Sequence, residues 1–190
     1  MNIIVRTYGG KTVVRPDTTL EKQDRDLYVP EPVGAMYFSP VMFARVSGSS
    51  KDISREFVKR YYDAVSFGIL LYPRNLMDGS PEGFAAASCM DHTSFLPFPM
   101  FAASTLDGAN EFELDKTGAA REHLFRFRPD GPELVENAIC EATRYVFLRT
   151  GDLVAVELAP VSPLMDKEDG PVGIIGKWCG KGTMDFKIIM

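Results

Sequence analysis

Residues 65–76 read VSFGILLYPRNL. The stretch 66–71 is mostly apolar and has the length of a strand, and the Tyr-Pro-Arg-Asn run at 72–75 that follows favours a turn. A continuous apolar run of this kind is typical of a strand that is buried on both faces. We therefore predict a buried strand that ends in a turn carrying one cation, Arg74.

Further strands are predicted on both sides of this run, because apolar and β-branched residues recur in short stretches. These stretches are residues 3–6, 12–15, 36–46, 153–161, 172–175 and 184–189. The first two enclose a glycine pair and predict an opening hairpin, whereas 36–46 predicts one or two strands. Residues 121–128 alternate like a half-buried strand, which places His123 with Phe125 and Phe127. Residues 17–32 are polar and end in prolines, which predicts a surface excursion.

Two stretches predict amphipathic helices. In residues 52–66 the apolar side chains recur at spacings of three and four, which places them on one helical face. Residues 132–149 have Pro132 in the first turn, glutamates near the N-terminus and arginines near the C-terminus, and Gly151 follows as a terminator. The fold class predicted from these elements is α+β and mainly β, with two principal helices in a single domain over residues 1–190.

Composition narrows the functional classes. The 190 residues are 45% hydrophobic and 25% charged, which is typical of a globular domain. The net charge of −5 and the dispersed basic residues argue against general nucleic-acid binding. The apolar runs are too short and broken to cross a membrane, and the first residues lack the features of a secretory signal, so we expect a cytoplasmic protein. Three widely spaced cysteines predict reduced thiols.

Few local motifs suggest chemistry. Residues 88–94 place a thiol, a carboxylate and an imidazole close together in the sequence, which makes Asp91 and His92 candidates for acid–base catalysis. The competing interpretation is a turn in which Asp91 and Ser94 form local backbone hydrogen bonds. With two histidines in the chain, a histidine-rich metal site is disfavoured. The glycine-rich residues 177–182 predict a β-turn rather than a phosphate site, because no helix is predicted to begin there.

The order of several short motifs is more specific than any one of them. In chain order these are DISREF at 52–57, VSFGILLYPRNL at 65–76, Met-Asp at 90–91, NEFEL at 110–114, the helix beginning Pro-Glu-Leu at 132–134, and GDLV at 151–154. This order resembles the fumarylacetoacetate hydrolase superfamily from about residue 43 to the end, whereas the first forty residues do not match it. The resemblance implies a mixed β-sheet roll, often a homodimer, in which a divalent metal such as Mg²⁺ binds an oxo-acid substrate. Members hydrolyse, decarboxylate, isomerise or hydrate keto and dicarbonyl acids.

The residues that the resemblance assigns to the metal site are not carboxylates here. The paired glutamates of the family fall on about Ser39 and Val41, and its metal-binding aspartate falls on Leu71. The catalytic lysine falls on Ser88 or Ala87, the threonine falls on Leu158, and the N-terminal histidine has no counterpart. The matches that remain are scaffold positions: Ser54, Arg74, Leu76, Asp91, Gly151 and Asp152. Because Mg²⁺ requires hard oxygen ligands, we predict no metal ligand and no cofactor.

Two functions stay open at this point. The first is a catalytically degenerate protein of this fold that acts as a binding or assembly subunit, as a homodimer or beside an active paralogue. The second is a metal-independent or divergent hydrolase, decarboxylase or isomerase that acts on a small keto or dicarbonyl acid. In the second case Asp91 and His92 would transfer protons, and Arg74 would hold the substrate carboxylate through a bidentate pair.

Overall fold

The computed structural model describes residues 1–190 as two β-sheets and two helices. The strands are β1 (Ile3–Arg6), β2 (Thr12–Arg15), β3 (Leu20–Glu21), β4 (Leu27–Tyr28), β5 (Ala35–Val46), β6 (Tyr62–Pro73), β7 (Ser94–Phe95), β8 (Phe112–Thr117), β9 (Arg121–Phe127), β10 (Leu153–Glu157), β11 (Ser162–Asp166), β12 (Val172–Trp178) and β13 (Lys181–Ile189). The helices are α1 (Pro81–Ala87) and α2 (Glu133–Thr143). Neither of them has the length and apolar character needed to cross a membrane.

The larger sheet is built around β5 and β6. Its strand order is β2-β1-β10-β5-β6-β7-β3, and β11 pairs with β5 as well. In the antiparallel β5–β6 register Ser39 lies opposite Leu70, and Val41 lies opposite both Gly68 on β6 and Glu157 on β10. Because residues directly opposite each other point to the same face, side chains from three neighbouring strands meet on one side of this sheet.

The smaller sheet covers the other face of the larger one. Its order is β4-β13-β12-β8-β9. Phe67 on β6 stacks on Phe112 with ring centroids 4.7 Å apart and contacts Trp178 at 4.5 Å, so aromatic side chains fill the space between the sheets. These aromatic residues belong to the larger of two clusters of buried residues, which we call the main core. A second core of ten buried residues, including Val41, Leu70 and Tyr72, lies on the opposite face of the larger sheet.

Gly68 allows β7 to lie close to β6. A Cβ atom at this position would lie 2.2 Å from the carbonyl oxygen of Phe95, which is closer than nonbonded atoms can approach. Only glycine is therefore compatible with this strand contact.

Most of the predicted strands are confirmed. The opening hairpin is β1 and β2, residues 36–46 form the single strand β5, and residues 66–71 lie within β6. The turn between β12 and β13 has positive φ angles at Cys179 and Gly180, as a tight hairpin turn requires. The stretch 153–161 forms a strand only as far as Glu157, and β11 was not predicted.

The helix predicted over residues 52–66 is wrong. Its only helical part is a single 3₁₀ turn at Val58–Arg60, and β6 begins at Tyr62. From Tyr62 onward the backbone pairs with β5, so for this part of the stretch sheet pairing overrides the helical spacing. The first helix is instead α1, where the Ser80 hydroxyl caps the helix by accepting a hydrogen bond from the Gly83 N–H at 2.9 Å.

The second predicted helix is confirmed but is shorter than expected. It ends at Thr143, so Gly151 does not terminate it. Gly151 has a φ of 92° and lies in the turn that leads into β10, where both carboxylate oxygens of Asp152 accept backbone N–H groups, from Asn2 and Arg149. Gly151 and Asp152 are therefore scaffold residues, as predicted, but they shape only the turn and do not end the helix.

Two further expectations need correction. A register shift between Leu114 and Asp115 turns His123 away from Phe125 and Phe127, and His123 is exposed with its Nδ1 atom 2.9 Å from Asp115. Residues 17–32 are not only a surface excursion, because β3 pairs with β7 and β4 pairs with β13.

Candidate functional site

A cavity of about 650 Å³ lies on the side of the larger sheet that carries the second core. Three chain segments form its walls: the β1–β2 hairpin, the segment from Met77 through α1 to Cys89, and the end of β10 with the connection to β11. The residues that line the cavity and also pack against the second core are Val13, Met77, Phe84 and Val161. The hairpin, which the family resemblance left unmatched, therefore forms one wall of the cavity.

One buried carboxylate reaches the cavity wall. Glu157 lines the cavity and is only 5% exposed. Its Oε1 atom accepts a hydrogen bond from the Tyr72 hydroxyl at 2.6 Å, and its Oε2 atom accepts one from the Tyr8 backbone N–H at 2.8 Å. The Tyr72 ring stacks on Phe84 of α1 at 5.5 Å. These contacts hold the carboxylate in one position between the hairpin and β6.

A fully buried cation lies beside this carboxylate. Arg15 at the end of β2 has no exposed surface, and its guanidinium carbon lies 4.9 Å from the centre of the Tyr72 ring. Its Nη2 atom donates to the Leu71 carbonyl at 3.1 Å and to the Thr93 hydroxyl at 2.7 Å, whereas its Nε and Nη1 atoms have no protein partner. We call Arg15, Tyr72 and Glu157 the buried network.

Burial changes the protonation behaviour of the buried network. It raises the pKa of the Glu157 carboxyl group, although the hydrogen bonds from Tyr72 and Tyr8 and the charge of Arg15 oppose that change. It also raises the pKa of Tyr72 far above the usual range, so the phenol stays a proton donor, and it lowers the pKa of Arg15. The protonated fraction of Glu157 is therefore larger than that of an ordinary exposed glutamic acid at the same pH.

The residues present do not fit a Mg²⁺ or Mn²⁺ ion. The Ser39 hydroxyl donates to the Ala159 carbonyl at 2.8 Å, and Val41 is apolar and fully buried. Leu71 faces the main core rather than the cavity, and the neighbouring residue that does face the second core, Leu70, is also apolar. Nowhere in the chain do three or more His, Cys, Asp or Glu side chains form a group that could hold a metal ion. Hard divalent cations require several oxygen ligands, which this face does not supply.

The other catalytic positions implied by the resemblance also lack reactive groups. Ser88 lines the cavity, but its hydroxyl donates to the Phe84 carbonyl at 2.8 Å. Leu158 packs against the main core. Neither position therefore supplies an acid, a base or a nucleophile to the cavity.

The structure separates Arg74 from the other two residues predicted from the sequence. Asp91 and His92 line a different cleft of about 380 Å³, which shares no lining residue with the cavity, and His92 Nδ1 lies 3.4 Å from Glu21 Oε2. Arg74 is exposed and donates to the Tyr37 hydroxyl at 3.2 Å and to the Met77 carbonyl at 3.3 Å. The acid–base pair of the predicted enzyme therefore lines one cleft, and its carboxylate-binding cation does not line that cleft.

The buried network was missed by sequence reasoning, although a signal for it exists. Glu157 is the only charged residue in the apolar run LVAVELA at 153–159, and Arg15 ends a β-branched strand. An ionisable residue inside a stretch that must be buried requires a partner, and such groups are often part of functional sites. The partners come from distant parts of the chain, so spacing alone does not reveal them.

Comparisons with known proteins support the fold. No protein-family model matches the chain, and no curated protein matches it either. A protein from Yersinia pestis CO92 that is provisionally assigned to the fumarylacetoacetate hydrolase family has a TM-score of 0.80 and 17% identity, over 99% of this chain and 92% of that one. Fumarylpyruvate hydrolase from Pseudomonas aeruginosa, solved with Mn²⁺ and pyruvate, has a TM-score of 0.79 and 15% identity, over 100% and 90% of the two chains.

A third solved structure is maleylpyruvate hydrolase from Sphingobium sp. SYK-6, with a TM-score of 0.74 and 15% identity over 99% of this chain and 70% of that one. The coverage in all three cases includes the hairpin that forms one wall of the cavity. This chain therefore has the mainly β fold of fumarylacetoacetate hydrolase family proteins, with two helices and mixed sheets.

Proposed function

We propose that this protein binds a small molecule in the cavity without the help of a divalent metal ion. The observation that supports this most directly is that Ser39, Val41 and Leu71 occupy the positions where the resemblance implies carboxylate ligands, while a buried guanidinium, Arg15, lies nearby. The Arg15 cation would repel a second cation placed nearby, and Glu157 is the only carboxylate that lines the cavity, so it offers a metal ion a single acidic side chain. The cavity itself has a volume typical of small-molecule sites.

This proposal corresponds to a catalytically degenerate binding subunit of this fold. Assembly as a homodimer, or with an active paralogue, is part of the same proposal. Light scattering of the purified chain tests self-association. A monomer at all concentrations would remove the homodimer from the proposal but would leave ligand binding in place.

A second candidate function is metal-independent catalysis on a small keto or dicarbonyl acid. Two observations favour it: the pKa of Glu157 is raised by burial at the wall of a cavity, and two of the similar structures are hydrolases of fumarylpyruvate and maleylpyruvate. In this case Glu157, rather than Asp91 or His92, would be the acid–base group. Turnover of such an acid that is lost in Glu157→Gln but kept in chelator would establish catalysis.

The binding proposal is tested by ligand screening with a variant that fills the cavity. Ala85 lines the cavity from α1, whereas Ala86 on the same helix does not line it, and both are exposed. We expect compounds that raise the melting temperature of the chelator-treated protein to lose this effect in Ala85→Phe and to keep it in Ala86→Phe. Compounds that act equally on both variants, or only after metal is added, would contradict the proposal.

A further inference from the structure

The chemistry of the cavity wall indicates which ligands it accepts. We propose that the ligand is an apolar molecule carrying a hydrogen-bond donor, an alcohol or an amine, that binds to the Glu157 carboxylate, and not an oxo acid. This inference rests on the proposed function, because it assumes that the cavity binds a ligand.

The side-chain donors that the α1 segment presents to the cavity are already used by the protein. The Ser80 hydroxyl donates to Asp78 at 2.6 Å, the Ser88 hydroxyl donates to the Phe84 carbonyl at 2.8 Å, and the Cys89 thiol donates to the Ala85 carbonyl at 3.2 Å. A carboxylate ligand needs several donors to replace the water molecules that it loses on binding. The α1 segment does not offer such donors, because all three of these side chains already donate to the protein.

Glu157, by contrast, has unused acceptor capacity. Each oxygen of a carboxylate has two lone pairs, and each oxygen of Glu157 accepts one hydrogen bond from the protein. Because Glu157 lines the cavity, a ligand hydroxyl or ammonium group can donate to one of the remaining lone pairs. Hydrogen bonds to a charged acceptor are among the stronger ones.

The charges around the cavity favour the same conclusion. Arg15 is fully buried and does not line the cavity, and its Nη2 atom is bonded to Leu71 and Thr93, so its guanidinium does not face a ligand in the cavity directly. The Lys11 ammonium group does line the cavity, but Lys11 is exposed in the hairpin turn, where water and salt screen its charge. The buried charge that a ligand meets on the wall is therefore negative.

The rest of the lining is suited to an apolar body. The apolar residues that line the cavity include Val13, Val14, Met77, Phe84, Ala85 and Val161. The ring of Phe84 is held in place by stacking on Tyr72. A ligand with an aromatic or aliphatic body can place its polar group at Glu157 while it covers these side chains.

The inference is tested with four probes that share a phenyl body. Phenethyl alcohol, phenethylamine, phenylacetate and phenylpyruvate are titrated into the chelator-treated protein, and dissociation constants are measured by ligand-observed NMR or calorimetry. We expect the alcohol and the amine to bind at least about tenfold more tightly than the two acids. This preference should disappear in Glu157→Gln, and all binding should weaken in Ala85→Phe but not in Ala86→Phe.

The possible failures are distinguishable. Tighter binding of an acid that Ala85→Phe abolishes would overturn the donor-ligand inference and leave the proposed function intact. A donor preference that persists in Glu157→Gln would also overturn the inference, because the carboxylate would not be its cause. Binding of no probe, or binding that Ala85→Phe does not change, would overturn both. If Glu157→Gln does not fold, the order of affinities in the unmodified protein decides the question.

Discussion

Replacing Tyr72 with phenylalanine removes one hydroxyl group from the buried network and changes little else. The hydroxyl donates to Glu157 Oε1 at 2.6 Å, and Tyr72 has no exposed surface. A buried hydrogen bond to a charged group contributes about 1.5–3 kcal/mol, so we expect Tyr72→Phe to lower the free energy of unfolding by about 2 kcal/mol near neutral pH. Phenylalanine keeps the ring and its stacking on Phe84, so the loss reports the hydroxyl.

The same variant predicts a pH dependence with a definite sign. The pKa of Glu157 is raised in the folded protein, so the native state holds its proton to higher pH than the unfolded chain does. The stability that this group contributes is fully present below its unfolded value of 4.5 and is lost as pH rises through the folded pKa. Without the Tyr72 hydroxyl, the pKa of Glu157 rises further, and the loss caused by Tyr72→Phe is therefore larger at high pH than at low pH.

Urea unfolding followed by circular dichroism, at about pH 5 and about pH 8, measures both effects. Tyr145→Phe is a matched control, because Tyr145 is 81% exposed and its variant should change the unfolding free energy by less than about 0.5 kcal/mol at either pH. A loss for Tyr72→Phe that is no larger than that of the control, or that is larger at the lower pH, would refute the account of the buried network.

Three further variants test other parts of the structure. Gly68→Ala forces a Cβ atom to 2.2 Å from a backbone carbonyl oxygen of β7 and should lower the free energy of unfolding by more than about 3 kcal/mol or prevent folding. The control Gly34→Ala should be tolerated, because a Cβ atom there meets no atom within 4 Å. Equal expression and equal melting temperatures of the two variants would contradict the strand contact. Arg15→Met removes the cation beside Glu157 and two hydrogen bonds, and should cost about 3 kcal/mol in urea unfolding; a neutral result would mean that the buried charge is not needed. Asp91→Ala and His92→Ala should leave the affinity of any cavity ligand unchanged in calorimetry, because both residues line a different cleft; a loss of affinity would show that the two sites are coupled.

Strands could be predicted from the sequence where the pattern of apolar residues matches the burial pattern of the strand. The stretch 66–71 is mostly apolar and lies in the centre of the larger sheet, and residues 184–189 alternate and form part of β13. The prediction for 52–66 was wrong because its spacing fits a helix, whereas the residues from Tyr62 onward pair with β5 and only Val58–Arg60 form a 3₁₀ turn. Local periodicity does not contain that information.

The candidate site was predictable in part. The absence of carboxylates at Ser39 and Val41 is visible in the sequence itself. In the structure Val41 belongs to the second core, and Ser39 lies opposite Leu70 of the same core. The buried network could not be read, because Arg15, Tyr72 and Glu157 are separated by more than fifty residues at each step and meet only when β2, β6 and β10 are assembled. For the same reason, Asp91 and His92 attracted attention by adjacency in the sequence although they lie outside the cavity.

The most direct test of the central claim is calorimetric titration of the chelator-treated protein with Mg²⁺ and Mn²⁺. The account predicts no saturable binding of either ion, because apolar residues of β5 and β6 occupy the face where oxygen ligands would be needed and Glu157 is the only carboxylate that lines the cavity. Stoichiometric binding with a dissociation constant of about 1 μM or lower would contradict it and would favour metal-dependent chemistry for this fold.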